Sequence, residues 1–224
     1  MSEPGTRRRR RRSKPDQIVL PERVLAFLRQ SLRIAWRVLF RIRYKGTENI
    51  PQDDRRGLII AANHQTYIDP FWLSIPINRP IRFLAWDAAF KWPIIGKSIQ
   101  FLGAWPLQVE GSDPAAIRRT LEWLRDGGAV VIFPEGGRGQ PDGSMIEFKG
   151  GAARLALEAD VPILPVTIRG ANRVWPAGRH LPRLAQVEIT YHPLFRVEQG
   201  PHEEKSACAR RESDRLAGII RSAL

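Results

Sequence analysis

Cysteine is almost absent from this chain of 224 residues, and the single thiol, Cys208, has no partner for an internal disulfide. Nothing in that usage points to an oxidising compartment. With no basic motif around it, Cys208 reads as a bystander near the C-terminal helix. A run of ~18 uncharged apolar residues is also missing, so no membrane-spanning helix is expected. The arginine run Arg7 to Arg12 has the charge of a secretory leader. The apolar stretch after it is broken by Arg29, Arg33, Arg37 and Arg41, and no small-residue cleavage site follows. Nucleophile signatures are missing too: there is no Gly-x-Ser-x-Gly turn and no placed thiol. Apart from His64, the histidines are His180, His192 and His202, and none stands at metal-ligand spacing. No internal repeat is visible.

What is present begins with composition. A hydrophobic content of 43%, with 18 glycines and 18 prolines, fits a turn-rich globular chain long enough to bury one core. The formal charge of +13 is unevenly placed. Residues 1–45 carry net +11 and the remaining 179 carry only +2. A basic arm on a near-neutral body calls for an anionic partner, either lipid headgroups or nucleic acid.

Residues 1–16 are low-complexity and are expected to be a disordered basic tail, because adjacent arginines repel one another and bury nothing. Residues 17–45 then show a helical period. Leu25, Leu28, Leu32, Trp36 and Leu39 form one stripe, and Arg29, Arg33, Arg37 and Arg41 form another. An apolar face opposite an arginine stripe suits a helix lying in the headgroup plane, where each arginine near an anionic leaflet is worth ~1 kcal/mol. An ordinary helix packed on the core with a solvated basic face remains the alternative. Nucleic acid is not expected, since no base-stacking aromatics or helix-turn-helix spacing accompany the charge.

From residue 57 onward, strand and helix patterns alternate. Leu58–Ala62, Arg82–Trp86, Ala129–Phe133, Ile163–Ile168 and Val187–Tyr191 read as strands. Asp113-Pro114 starts a helix with a cap and a first-turn proline; Ile117, Leu121 and Leu124 mark its buried face and Gly127 its end. Gly151–Ala159, with Leu155 and Leu157, and Ser206–Leu224 are further helices. The expected fold is α/β: a mixed sheet covered by helices, preceded by the basic amphipathic helical arm.

Two segments follow apolar strands directly, where open α/β sheets place their ligands. In Asn63-His64-Gln65-Thr66-Tyr67-Ile68-Asp69-Pro70, a carboxylate five residues from an imidazole in a strand-to-helix turn can hold its tautomer and stabilise the imidazolium. Without a nearby serine or cysteine nucleophile, His64 is best read as a general base acting on a substrate hydroxyl. A divalent ion on His64, Asp69 and Glu135 is the rival reading. In Phe133-Pro134-Glu135-Gly136-Gly137-Arg138-Gly139, the glycines let backbone approach a ligand and Arg138 offers a planar fork for phosphate or carboxylate. Alone, such a turn is a weak signal.

Together these blocks resemble the glycerophospholipid acyltransferase family over about Tyr44 to Leu194. Asn63-His64 to Asp69 is similar to that family's His-x4-Asp block, and Phe133 to Arg138 to its Pro-Glu-Gly-x-Arg block. Phe148-Lys149-Gly150-Gly151-Ala152 leads into Val161-Pro162-Ile163-Leu164-Pro165-Val166, similar to its apolar-proline block. The resemblance implies an acyltransferase domain over residues 46–224, with His64 as base and Asp69 as its orienter. It also implies that Glu135, Gly136, Arg138 and Lys149 serve the acceptor site, with neither metal nor cofactor. The implied reaction moves a fatty acyl group from acyl carrier protein or coenzyme A to a lysolipid hydroxyl. The foremost acceptor would be 1-acylglycerol-3-phosphate, giving phosphatidic acid, at an anionic membrane surface on the cytoplasmic face.

The chain departs from the family pattern at three positions. Phe101 to Leu107 matches a block that ordinarily ends in an arginine, where Val109 stands here, and two common hydroxyl positions are Gly137 and Gly139. Losing those donors weakens the expected grip on a phosphomonoester, unless Arg138, Lys91, Lys97 and Lys149 compensate. A different lysolipid acceptor and a non-catalytic membrane scaffold therefore stay open as alternatives.

Overall fold

The computed structural model describes residues 31, 34–35, 39–52, 55–91, 103–108, 113–175 and 183–224. The tail 1–16 and most of the arm 17–45 lie outside the described residues, as do Lys97 and Val109.

Seven strands form one sheet: β1 (Arg43–Lys45), β2 (Leu58–Ala62), β3 (Ile81–Trp86), β4 (Ala104–Leu107), β5 (Ala129–Ile132), β6 (Ile163–Arg169) and β7 (Glu188–Tyr191). Their spatial order is β1-β7-β6-β2-β5-β3-β4. β2, β3, β4, β5 and β6 run parallel to one another; β7 is antiparallel to β6 and β1 parallel to β7. The sheet is mixed, as expected, and it begins inside the range assigned to the arm, because Arg43–Lys45 is an edge strand. The five expected strands are present with ends shifted by no more than one residue. Two short edge strands, β1 and β4, carry no apolar run long enough to announce them.

Why β2 reads Leu-Ile-Ile-Ala-Ala follows from its position. Flanked by β5 and β6, it is buried on both faces along its whole length. Its side chains alternate between two cores. Leu58, Ile60 and Ala62 pack with Val131, Leu164 and Trp72 on one face, while Ile59 and Ala61 pack with Val130, Leu124, Leu155 and Leu216 on the other. Each such leucine or isoleucine contributes roughly 1.5–3 kcal/mol by leaving water.

The helices are α1 (Asp69–Ser74), α2 (Pro114–Arg125), α3 (Gly151–Ala159), the short α4 (Ala171–Val174) and α5 (Lys205–Arg221). At the start of α2, Asp113 Oδ1 accepts the Ala116 N–H at 2.9 Å, the cap its sequence announces. The buried stripe of α2 differs from the expected one. Ile117 is 40% exposed, whereas Ala116, Thr120 and Leu124 are buried. Thr120 can be buried because its hydroxyl donates to the Ala116 carbonyl at 2.8 Å, leaving no orphan polar group. α5 is tied to β6 by a polar relay. Thr167 Oγ1 donates to the Ile220 carbonyl at 2.6 Å and accepts from His192 Nε2 at 2.8 Å.

Candidate active site

Register brings the two motif segments together. β2 and β5 are adjacent and parallel, with Ala61 opposite Ile132, so His64 and Glu135, each three residues further on, leave the sheet side by side. Glu135 completes the junction. Its Oε1 accepts the His64 N–H at 2.7 Å and its Oε2 the Ile146 N–H at 2.8 Å. The His64 carbonyl in turn accepts the Gly139 N–H at 2.7 Å. Burial pushes the Glu135 carboxyl above its ordinary range, and the two backbone N–H groups pull it part of the way back. The carboxylate expected to shape the acceptor site thus has both oxygens occupied in shaping the loop that carries His64.

Asp69 is fully buried at the start of α1 and is the hub of that loop. Its Oδ2 accepts from Gln65 N at 2.5 Å and Thr66 N at 2.7 Å, and lies 3.0 Å from His64 Nδ1. Its Oδ1 accepts the Thr66 hydroxyl at 2.7 Å. With both oxygens turned to donors, the carboxylate accepts the Nδ1–H of the imidazole, which assigns the lone pair of the neutral ring to Nε2. Among the described residues Nε2 has no partner, and the side chain retains 17% exposure. On one face the ring stacks against Phe133, with centroids 4.0 Å apart and planes 22° from parallel. The His64 ring is therefore oriented through one nitrogen, braced on one face and open at the other nitrogen.

Neighbouring residues lock the frame. Asn63, buried at the end of β2, donates to the Ile168 carbonyl at 2.9 Å and accepts the Ile168 N–H at 2.7 Å, fastening β2 to β6 just below His64. Gln65 donates to the Gly143 carbonyl at 3.0 Å and accepts the Asn172 N–H at 3.2 Å. The bracing roles of Asn63, Gln65, Thr66 and Phe133 are not announced by the sequence. The one local signal was Thr66 three residues before Asp69, the spacing at which a short hydroxyl reaches a helix-start carboxylate.

Two cations stand at the rim. The Arg138 guanidinium lies 4.2 Å from the ring centre of the exposed Tyr67, so the second segment reaches over the loop of the first. Lys149 extends over the Gly136 turn, where a Cβ would meet its Nζ at 2.8 Å, and Gly136 itself has a left-handed φ of 68°. Of the other lysines considered, Lys91 ends a short 3-10 turn after β3.

The glycines at the two hydroxyl positions differ physically. A Cβ on Gly137 meets nothing within 4 Å, whereas one on Gly139 would lie 2.7 Å from the Ser144 carbonyl oxygen and 3.0 Å from Glu135 Oε2. Gly137→Ser is therefore expected to change stability by less than about 0.5 kcal/mol. Gly139→Ser should cost about 1–3 kcal/mol, because backbone must move. Denaturant midpoints of the two variants check the contrast, and equal midpoints would contradict this packing.

At the strand ends a His–Asp pair stands on a mixed sheet beside a cationic rim, and among the described residues no serine or cysteine side chain is hydrogen-bonded to His64. The comparisons carry this to a family. The family model described as Acyltransferase matches residues 41–169, more than half of the chain, and the chain belongs to that family. A chloroplastic 1-acyl-sn-glycerol-3-phosphate acyltransferase of Arabidopsis thaliana is 32% identical over 143 residues, 62% of this chain and 39% of that protein. The 1-acyl-sn-glycerol-3-phosphate acyltransferase of Pseudomonas aeruginosa is 30% identical over 173 residues, 74% of this chain and 64% of that one. The crystal structure of the 1-acyl-sn-glycerophosphate acyltransferase from Thermotoga maritima superposes with a TM-score of 0.69 at 26% identity. That match covers 90% of this chain and 79% of that one. The matched region spans only about two fifths of the plant relatives, 39% of each.

Proposed function

We propose that this chain transfers a fatty acyl group from an acyl thioester to the hydroxyl of a lysolipid, foremost 1-acylglycerol-3-phosphate, giving phosphatidic acid. The observation that carries the reading is His64, held by a buried carboxylate through Nδ1 and left open at Nε2. In this mechanism Nε2 takes the proton of the acceptor hydroxyl as its oxygen attacks the thioester carbonyl carbon. A carbon–oxygen bond forms, the carbon–sulfur bond breaks, and the proton passes to the departing thiolate. Asp69 opposes the charge of the transient imidazolium. Arg138 and Lys149 serve as the cations for the acceptor phosphate, and the exposed Arg138 guanidinium, 4.2 Å from the Tyr67 ring centre, offers N–H donors to a phosphate oxygen. The names of the relatives favour this acceptor, and the two rim cations suit its charge.

The test mixes the chain with an acyl thioester and a panel of lysolipids and measures freed thiol. Release that depends on the acceptor, fastest with lysophosphatidate and undiminished by a chelator, is expected. No acceptor-dependent release from any lysolipid would leave only the scaffold reading. Dependence on added divalent metal would revive the metal reading.

The same proposal places the chain on the cytoplasmic face of the cell membrane as a peripheral or monotopic protein. No helix among the described residues is long and apolar enough to cross a membrane. Within the arm, Ile34 and Leu39 are helical, apolar and more than half exposed, which suits contact with lipid. Deleting residues 1–38 is expected to reduce binding to anionic vesicles at least tenfold while binding to neutral vesicles stays weak. Equal binding by the full and truncated chains would refute the membrane arm.

A further inference from the structure

The rim cations Arg138 and Lys149 both follow β5, the side of β2 toward which the His64 ring turns. On the opposite side, after β6, the surface holds a groove of about 530 Å³. Its walls include Gln65, Asp142, Arg169, Asn172, Arg173 and Arg221. A volume of this size lies within the range of small-molecule sites.

Charge in the groove is one-sided. Three guanidinium groups face one acidic side chain, Asp142, and the α-carboxylate of Leu224, and Asp142 already accepts the Ser144 N–H at 2.8 Å and the Ser144 hydroxyl at 2.7 Å. Arg169 also holds Glu188 at 2.7 Å. Among the described residues Arg173 and Arg221 have no ion pair. They come from different elements, Arg173 from α4 and Arg221 from the last turn of α5, so the fold rather than chain proximity brings them to one concavity. Planar forks converging from several directions match a ligand with more than one phosphate group.

The groove also adjoins the base. Gln65, the residue after His64, spans the gap between its walls by bonding Gly143 on one side and Asn172 on the other. A reaction between two phosphate-bearing substrates needs two anion sites with the base between them. Cationic side chains stand on both sides of His64, at the rim after β5 and in the groove after β6.

We propose that the groove binds the phosphate groups of a coenzyme A thioester, the acyl donor, with the pantetheine arm running past Gln65 toward His64. This assignment rests on the acyl-transfer reading above, and two separate readouts keep the two apart. In the first, calorimetric titration of the full chain with coenzyme A is expected to show binding that weakens at least tenfold in an Arg173→Glu, Arg221→Glu double variant. Pantetheine, which lacks the phosphates, should bind both proteins alike. The neutral Arg173→Gln, Arg221→Gln pair, which spares the fold from charge reversal, should show an intermediate loss. In the second, KM for acyl-coenzyme A should rise at least tenfold in the double variant while KM for the lysolipid does not follow it.

Coenzyme A affinity unchanged in both double variants would overturn the proposal. So would a rise in KM seen only with acyl carrier protein as donor, or only for the lysolipid. Loss of anionic-vesicle binding with coenzyme A binding intact would assign the groove to lipid headgroups instead and overturn it as well. If the wild-type chain binds coenzyme A through these arginines yet transfers no acyl group, the groove assignment stands and the acyl-transfer reading falls.

Discussion

Replacing His64 by alanine is expected to lower kcat by about 10²–10⁴-fold, the usual worth of a positioned general base. The two carboxylates beside it are already engaged. The Asp69 carboxylate is wholly buried and engaged by four donor groups, and both Glu135 oxygens accept backbone N–H groups. Stability should change little by comparison. The ring is partly exposed and its chief packing partner is Phe133, a stacking contact worth about 0.5–1.5 kcal/mol. Steady-state rates with saturating thioester, read beside thermal melting, separate the two effects. Activity within tenfold of the unaltered chain would rule out His64 as the base.

A different signature is expected at Asp69, because that carboxylate has two functions. Asp69→Ala removes the acceptor for His64 Nδ1 and also strands the Gln65 and Thr66 N–H groups. At about 1–3 kcal/mol for each buried donor left unmade, the fold should lose roughly 2–6 kcal/mol along with the activity. Asp69→Asn separates the functions. Its side-chain oxygen can occupy the place of Oδ2 and keep all three N–H donors, while its amide faces Thr66 Oγ1, which can accept as well as donate. The expected outcome is a nearly native melting temperature with kcat lowered by about 10²-fold or more, because the imidazolium loses its counter-charge. An Asp69→Asn chain as active as the unaltered one would show that the carboxylate matters only for the shape of the loop.

Much of the site was legible from local pattern. His64 and Asp69 are five residues apart in a turn between a buried strand and a helix, so their meeting needs only the chain between them. The sequence put Glu135 in the second motif segment but did not show what it would hold. Which atoms its oxygens would meet depends on β2 and β5 being neighbours in register, and Ile146 reaches it only through a long loop. Gly137 and Gly139 looked equivalent in the sequence and are not. The Ser144 carbonyl that crowds Gly139 comes from the far end of that loop, whereas the surface beside Gly137 is open. Ile117 was placed on the buried face of α2 by its hydrophobicity. The stripe instead runs through Thr120, whose hydroxyl is satisfied inside its own helix.

The sequence by itself determined the alternation of strands and helices, the capped start of α2, the His–Asp pair, and the concentration of charge in the N-terminal arm. Each of these depends on residues close together in the chain. Tertiary structure alone decided that Glu135 holds the backbone of His64, that Asn63 fastens β2 to β6, and that Arg169, Arg173 and Arg221 share a groove on the far side of His64. Those contacts join residues up to about a hundred positions or more apart, and the order of strands in the sheet decides which of them meet.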